Sequence, residues 1–283
     1  MPACRDVSAR IIAETVEKLF IEANIEIGKD ALLLLSEARK AETSERARHV
    51  LTQILENARV AREDRMPLCQ DTGLAIVFVE LGQDVHVTDG DFAEAVREGV
   101  RRAYGEGCLR KSVCDPLSRK NTGDNTPAIL HTEIVPGREI RIRVMPKGGG
   151  SENMSSVVML TPAAGLDGVK RYVVEQVAGA GSNPCPPTVI GVGIGGNLET
   201  AALLAKKALL RPLGEPHRRD ARLAKLETDL LSEINRLGIG PQGYGGATTS
   251  LAVHCDMTPC HIASLPVAVN IQCHAVRHRE AVI

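Results

Sequence analysis

Apolar residues recur every three or four positions near the start of the chain. Ile11, Ile12, Val16, Leu19, Phe20 and Ala23 fall on one helical face. A second apolar run covers Leu32–Leu35. A third helix opens at the cap Ser44 and carries Ala47, Val50, Leu51, Ile54, Leu55 and Ala58. From Pro67 onward the period changes. Short β-branched runs at 75–79, 129–135, 140–144, 189–192, 250–254 and 265–271 alternate with turns. Helical stretches lie near 91–104, 166–179, 198–211 and 218–237. The pattern predicts an α+β fold, in which an N-terminal helical layer, residues 1–64, precedes one integrated mixed α/β region, residues 65–283.

Composition narrows the function. Thirty-four Lys+Arg against 35 Asp+Glu leave a net charge of −1, and aromatic residues make up only 2%. A nucleic-acid binder needs a basic face and stacking rings, so that class is excluded. No run approaches the roughly 18 consecutive apolar residues of a membrane span. Charges scattered through MPACRDVSARIIAETVEKLF read as an amphipathic helix and not as a secretory signal. The expectation is a cytoplasmic enzyme whose eight cysteines are thiols, metal ligands or core fillers.

Glycine, proline and uncommon polar residues gather at 67–73, 109–125, 147–153, 183–197 and 240–278. Gly191, Gly193 and Gly196 satisfy GxGxxG between a strand-like and a helical stretch, the arrangement of a dinucleotide fingerprint. No second strand brings an acidic residue to a ribose, which makes a nicotinamide-dependent oxidoreductase a remote reading. The plain alternative is a turn whose glycines let another backbone approach closely. The loop from Lys147 to Asn153 sets consecutive glycine N–H groups beside a cation, a pattern suited to a carboxylate or phosphate.

Three cysteines stand apart from the rest. Cys69 precedes Gln-Asp-Thr-Gly, Cys185 lies between two prolines, and Cys273 lies between Gln272 and His274. Each sits on a stiff loop or at a strand end, so only the fold can bring them together. Two metal chemistries compete. Zinc at His254, Cys255, Cys260 and His261 is disfavoured, because neighbours on an extended strand face opposite sides. The other is an iron–sulfur cluster held by three thiolates, whose remaining iron is open to act as a Lewis acid.

Six segments then point to one family. They are LCQDTG at 68–73, LRKSVCDPL at 109–117, KNTGDNTPAILH at 120–131, KGGGSENMS at 147–155, NPCPPTVIGVGIGGN at 183–197, and GPQGYGG…CHIASLPVAVNIQCH at 240–274. In this order they resemble the class I, iron–sulfur-dependent fumarate hydratases, in their α subunit or the N-terminal domain of the single-chain form. L-tartrate dehydratase α subunits share the pattern. The resemblance covers about residues 60–278.

The resemblance implies a 4Fe-4S cluster held by Cys69, Cys185 and Cys273, with the fourth iron open to substrate. It implies that Gln70, Arg110, Gly148, Gly149 and Gly150 bind a small dicarboxylate, and that Asp71 and His261 take part in catalysis. The implied reaction is the reversible hydration of fumarate to L-malate, a step of the tricarboxylic acid cycle, with tartrate dehydration to oxaloacetate as the alternative. In that family a second domain or β subunit completes the active site with cationic groups and a threonine that serves in proton transfer. A homo-dimerised α/β assembly is therefore expected. The chain ends ten residues after Cys273 and is read as the cluster-bearing half of such an enzyme.

Overall fold

A computed structural model describes residues 4–283. The first half of the chain forms β1 (Arg5–Ser8), α1 (Ala9–Ile25), α2 (Lys29–Ala41), α3 (Glu45–Glu63), β2 (Leu74–Gly82), β3 (Val85–Thr88), α4 (Phe92–Glu106), β4 (Ile129–Val135) and β5 (Ile140–Lys147). The second half forms α5 (Gly149–Glu152), β6 (Ser156–Leu160), α6 (Gly165–Ala180), β7 (Thr188–Gly195), α7 (Leu198–Ala208), α8 (Ala221–Asn235), β8 (Ser250–Thr258), β9 (Leu265–Gln272) and β10 (Arg279–Val282). The class is α+β, as the pattern predicts. Side-chain caps set the helix starts: Ser8, Asp91, Asn197 and Asp220 each accept a main-chain N–H from the first turn of α1, α4, α7 and α8.

Among the described residues the chain divides into two compact units. One comprises residues up to 27, 58–149 and 277–283; the other comprises 28–57 and 150–276. The helices expected as a single layer over 1–64 are therefore shared between units. The apolar face of α1 belongs to the core of the first unit, whereas α2 and most of α3 belong to the second. Met1–Ala3, part of that expected layer, lie outside the described residues. Arg5–Ser8, expected as helix, form β1 and pair in parallel with β3. The reason is local. Ser8 caps α1 with its side chain, so the residues before it are free to join a strand and Val7 is buried there.

In the first unit the sheet order is β10-β5-β2-β4, with β2 antiparallel to β5 and parallel to β4. Ile12, Val16 and Phe20 of α1 and Val96, Val100 and Tyr104 of α4 pack in one core with Val77, Val79, Ile142 and Val144.

In the second unit the order is β6-β9-β7-β8, with β7 parallel to β8 and antiparallel to β9. Val173 and Val177 of α6 and Leu226 and Leu230 of α8 share a core with Val192, Val253 and Ile271. On the opposite face α7 packs through Ala201 and Ala205 on Ala268. The small residues of α7 and the glycines of β7 serve one another. A Cβ on Gly191 would run into the Ala205 carbonyl, and one on Gly193 into the Ala201 carbonyl. The glycine motif thus accommodates a helix backbone at close range, which is the plain alternative expected for it. Among the described residues no helix is long and apolar enough to cross a membrane.

Candidate active site

In the first unit the candidate residues gather around the loop Leu68–Gly73, which leads into β2. Leu68 is buried and its N–H donates to the Asn24 carbonyl at 2.8 Å. The Cys69 Sγ accepts the Asp71 N–H at 3.4 Å, and the thiol lies 3.3 Å from Gln70 Oε1. Asp71 caps the turn, as an aspartate before Thr-Gly commonly does, through Oδ1 to the Gly73 N–H at 3.0 Å. Its other oxygen, Oδ2, accepts the Gly149 N–H at 2.7 Å. One carboxylate thereby ties the Cys69 loop to the glycine loop after β5.

The basic loop is tied to the same place. Thr72 Oγ1 donates to the Arg110 carbonyl at 2.8 Å. Asn125 donates from Nδ2 to the Gly73 carbonyl at 3.2 Å, while its Oδ1 accepts the N–H groups of Ser112 at 2.6 Å and Val113 at 3.2 Å. Tyr104, buried on α4, donates its hydroxyl to the Thr72 carbonyl at 2.6 Å. Burial holds that phenol well above its ordinary pKa, which keeps it a donor. Cys69, Gln70, Asp71, Arg110, Gly148 and Gly149 are thus brought together, with the Gln70 and Arg110 side chains exposed.

In the second unit the loops that carry Cys185 and Cys273 meet although 88 residues separate the two cysteines in sequence. The Cys185 carbonyl accepts the His274 N–H at 3.3 Å and lies 3.0 Å from His274 Nδ1. Gln242 braces the next residue, donating to the Pro186 carbonyl from both its main-chain N–H and its Nε2, each at 2.8 Å. Gly150 lies beside this loop: a Cβ there would stand 3.3 Å from the Asn183 carbonyl. His261 keeps to its own loop after β8, where Nδ1 accepts the Ala263 N–H at 3.1 Å. It lines a groove of about 530 Å³ with Ile194, Met257 and Leu265.

The zinc set does not assemble. His254 is buried on β8 with Nδ1 3.1 Å from the Ala208 carbonyl, and Cys255 faces the core beside α8. Burial, reinforced by Arg211, pushes His254 down to about 4, and burial pushes the Cys255 thiol up. Cys260 and His261 are exposed. Among the described residues no three His, Cys, Asp or Glu side chains converge on a single-ion site. A cluster makes a different demand, since each thiolate takes its own iron. Cys69, Cys185 and Cys273 are at least partly exposed and lie in no disulfide, and Cys69 already receives an N–H···S contact of the kind that tunes cluster thiolates. This donor chemistry fits an iron–sulfur cluster.

Four residues of the site escape a sequence reading: Asn24, Tyr104, Asn125 and Arg277. Tyr104 reads as one more apolar position of α4. Arg277 sits in the charged stretch HAVRHRE, and nothing marks it as buried. Asn125 alone carries a signal, inside the NTGDNTP segment.

Comparisons with known proteins agree with one another. The family model for fumarate hydratase (Fumerase) matches residues 13–282. A Methanocaldococcus jannaschii protein, provisionally named an L(+)-tartrate dehydratase subunit alpha, is 46% identical over 272 residues, 94% of this chain and 95% of its own. The L(+)-tartrate dehydratase subunit alpha of Escherichia coli strain K12 is 33% identical over 252 residues, 88% of this chain and 82% of its own. The subunit of the same name in Shigella sonnei matches to the same extent.

Proposed function

Because the chain belongs to the fumarate hydratase family and is thus a hydro-lyase, we propose that it is the α subunit of an iron–sulfur enzyme that reversibly hydrates fumarate to L-malate. The observation that carries this reading is the Asp71 carboxylate, which draws the Cys69 loop onto the glycine loop at Gly149. The loops of Cys185 and Cys273, which meet within the second unit, supply two further thiols.

Dehydrating malate removes a proton beside one carboxylate and expels hydroxide, and both steps are hard near neutral pH. A 4Fe-4S cluster at Cys69, Cys185 and Cys273 supplies, when bound, a Lewis acid for the leaving hydroxyl. Arg110 offers a planar guanidinium for a substrate carboxylate, with Gln70 as a neutral donor beside it. In this reading the glycine loop Gly148–Gly150 faces the same dianion, with the Gly149 N–H committed to Asp71. Asp71 holds the proton path at its carboxylate, working with a base from the partner. His261 presents Nε2, because its Nδ1 is occupied by the Ala263 N–H.

The relatives' names, subunit alpha, support a partner subunit; in our reading it is a β subunit that completes the site, within a homo-dimerised α/β assembly. No disulfide joins cysteines among the described residues, which suits the reducing cytoplasm. The same names favour a second reading, dehydration of L-tartrate to oxaloacetate. Anaerobic co-production with the partner chain, followed by assays on fumarate and on tartrate, separates the two. Fumarate turnover is expected. Turnover of tartrate alone moves the assignment to the second reading, and turnover of neither by a fully loaded complex overturns both.

A further inference from the structure

Arg277 is a large side chain, 1% exposed, and among the described residues its guanidinium forms no ion pair. Burying a cation without such a partner is costly, so a structure that keeps one uses its hydrogen bonds. Nη1 donates to the Asn24 side-chain oxygen at 3.1 Å and to the Asp71 main-chain carbonyl at 2.6 Å. Among the described residues the buried Nε N–H has no acceptor.

The two acceptors belong to one device. Asn24, in the last turn of α1, is itself fully buried. It donates from Nδ2 to the Phe20 carbonyl at 2.9 Å, and its main-chain carbonyl takes the Leu68 N–H at 2.8 Å. The loop Leu68–Gly73 is therefore gripped at its first residue by Asn24, at Asp71 by Arg277, and at Thr72 by Tyr104. Cys69 and Gln70 lie between the first two grips. Gly148 completes the arrangement, because a Cβ there would stand 3.0 Å from Asp71 Oδ2 and 3.2 Å from Arg277 Nη2. A side chain at this position would crowd both the carboxylate and the guanidinium.

We propose that Arg277 is a positioning residue: by holding the Asp71 main chain against Asn24 it sets where the Cys69 thiol and the Asp71 carboxylate stand. The functional meaning rests on the hydro-lyase reading, but the positioning does not. Of the possible substitutes, lysine keeps the charge and an ammonium donor but loses the planar fork, whereas methionine keeps only the bulk.

The test is the alkylation rate of each cysteine in the cluster-free full-length chain, read by mass spectrometry, with amide exchange at Asp71, Gly73 and Gly149. Arg277→Met is expected to raise the Cys69 rate at least about fivefold and to speed those three amides. Cys4 and Cys108 are expected to keep their rates, and Arg277→Lys to recover part of the loss. A uniform change at all cysteines, or no change at Cys69 in a folded Arg277→Met chain, overturns the proposal. If Arg277→Met does not fold, Asn24→Ala breaks the same grip from the other end and must show the same selective effect. In the loaded complex with its partner, kcat is expected to fall about tenfold or more with KM within about twofold. Positioning that holds in the cluster-free chain while neither substrate is turned over overturns the hydro-lyase reading and leaves the positioning intact.

Discussion

Asp71 makes two structural contacts at once. Its carboxylate caps a turn through the Gly73 N–H and also accepts the Gly149 N–H, and the proposed proton path would use that same carboxylate. Asp71→Asn must turn an amide N–H toward one of those donors. The expected outcome is a loss of about 1–2 kcal/mol in urea unfolding and a drop in turnover of about 10²-fold or more in the complex with its partner. A variant with unchanged kcat would place the proton path elsewhere. His254 gives a prediction in pH. Its ring is buried, Nε2 has no hydrogen-bond partner among the described residues, and its pKa is lowered to about 4. As pH falls, the unfolded chain takes up this proton first, near 6.5, so the contribution is intact above that value. It is lost progressively down to about 4, in total about 3 kcal/mol. Denaturation of wild type and His254→Gln at pH 7 and pH 5 checks it: the wild type is expected to lose more stability than the variant. At this scale the sequence is legible where chemistry is concentrated in a motif, as in LCQDTG. It is silent where a residue acts through burial. Arg277 and Asn24 are 253 positions apart, and only the fold makes them partners.

The elements divide along the same line. The run 129–135 forms β4 over its full length, and the caps at Ser44 and Asn197 open α3 and α7, because those signals are local. β1, β3 and β10 have four residues each and exist through their partners, so no periodicity betrays them. β1 in particular was masked by apolar residues that continue into α1. The GxGxxG pattern was visible but ambiguous until α7 was seen to lie on it. Gly193→Ala places a methyl group against the Ala201 carbonyl and is expected to cost at least about 2 kcal/mol, read as a lower urea midpoint. Nicotinamide dinucleotides are expected to leave the melting temperature of the wild-type chain unchanged. A tolerated alanine together with a shift on adding NAD would restore the dinucleotide reading.

For the whole molecule, the change of period at Pro67 marks a change of secondary structure, while each of the two units is drawn from several stretches of the chain. Burial, not chain order, decides membership: α1 and the last strand join the first unit, while α2 and most of α3 join the second. The candidate cluster ligands are shared out in the same way, with Cys69 in one unit and Cys185 and Cys273 in the other. Net charge near zero and few aromatics suit a small dianion held by guanidinium, backbone N–H and a Lewis acid. The central claim is that these three cysteines, and no others, hold the cluster. Anaerobic reconstitution with ferrous iron and sulfide, followed by iron and labile-sulfide analysis of the wild type and single Cys→Ser variants, tests it most directly. The account predicts about four irons and about four sulfides per wild-type chain. It also predicts loss of the cluster in Cys69→Ser, Cys185→Ser and Cys273→Ser, and retention in Cys4→Ser and Cys108→Ser. Retention in the first three, or loss in the last two, contradicts it.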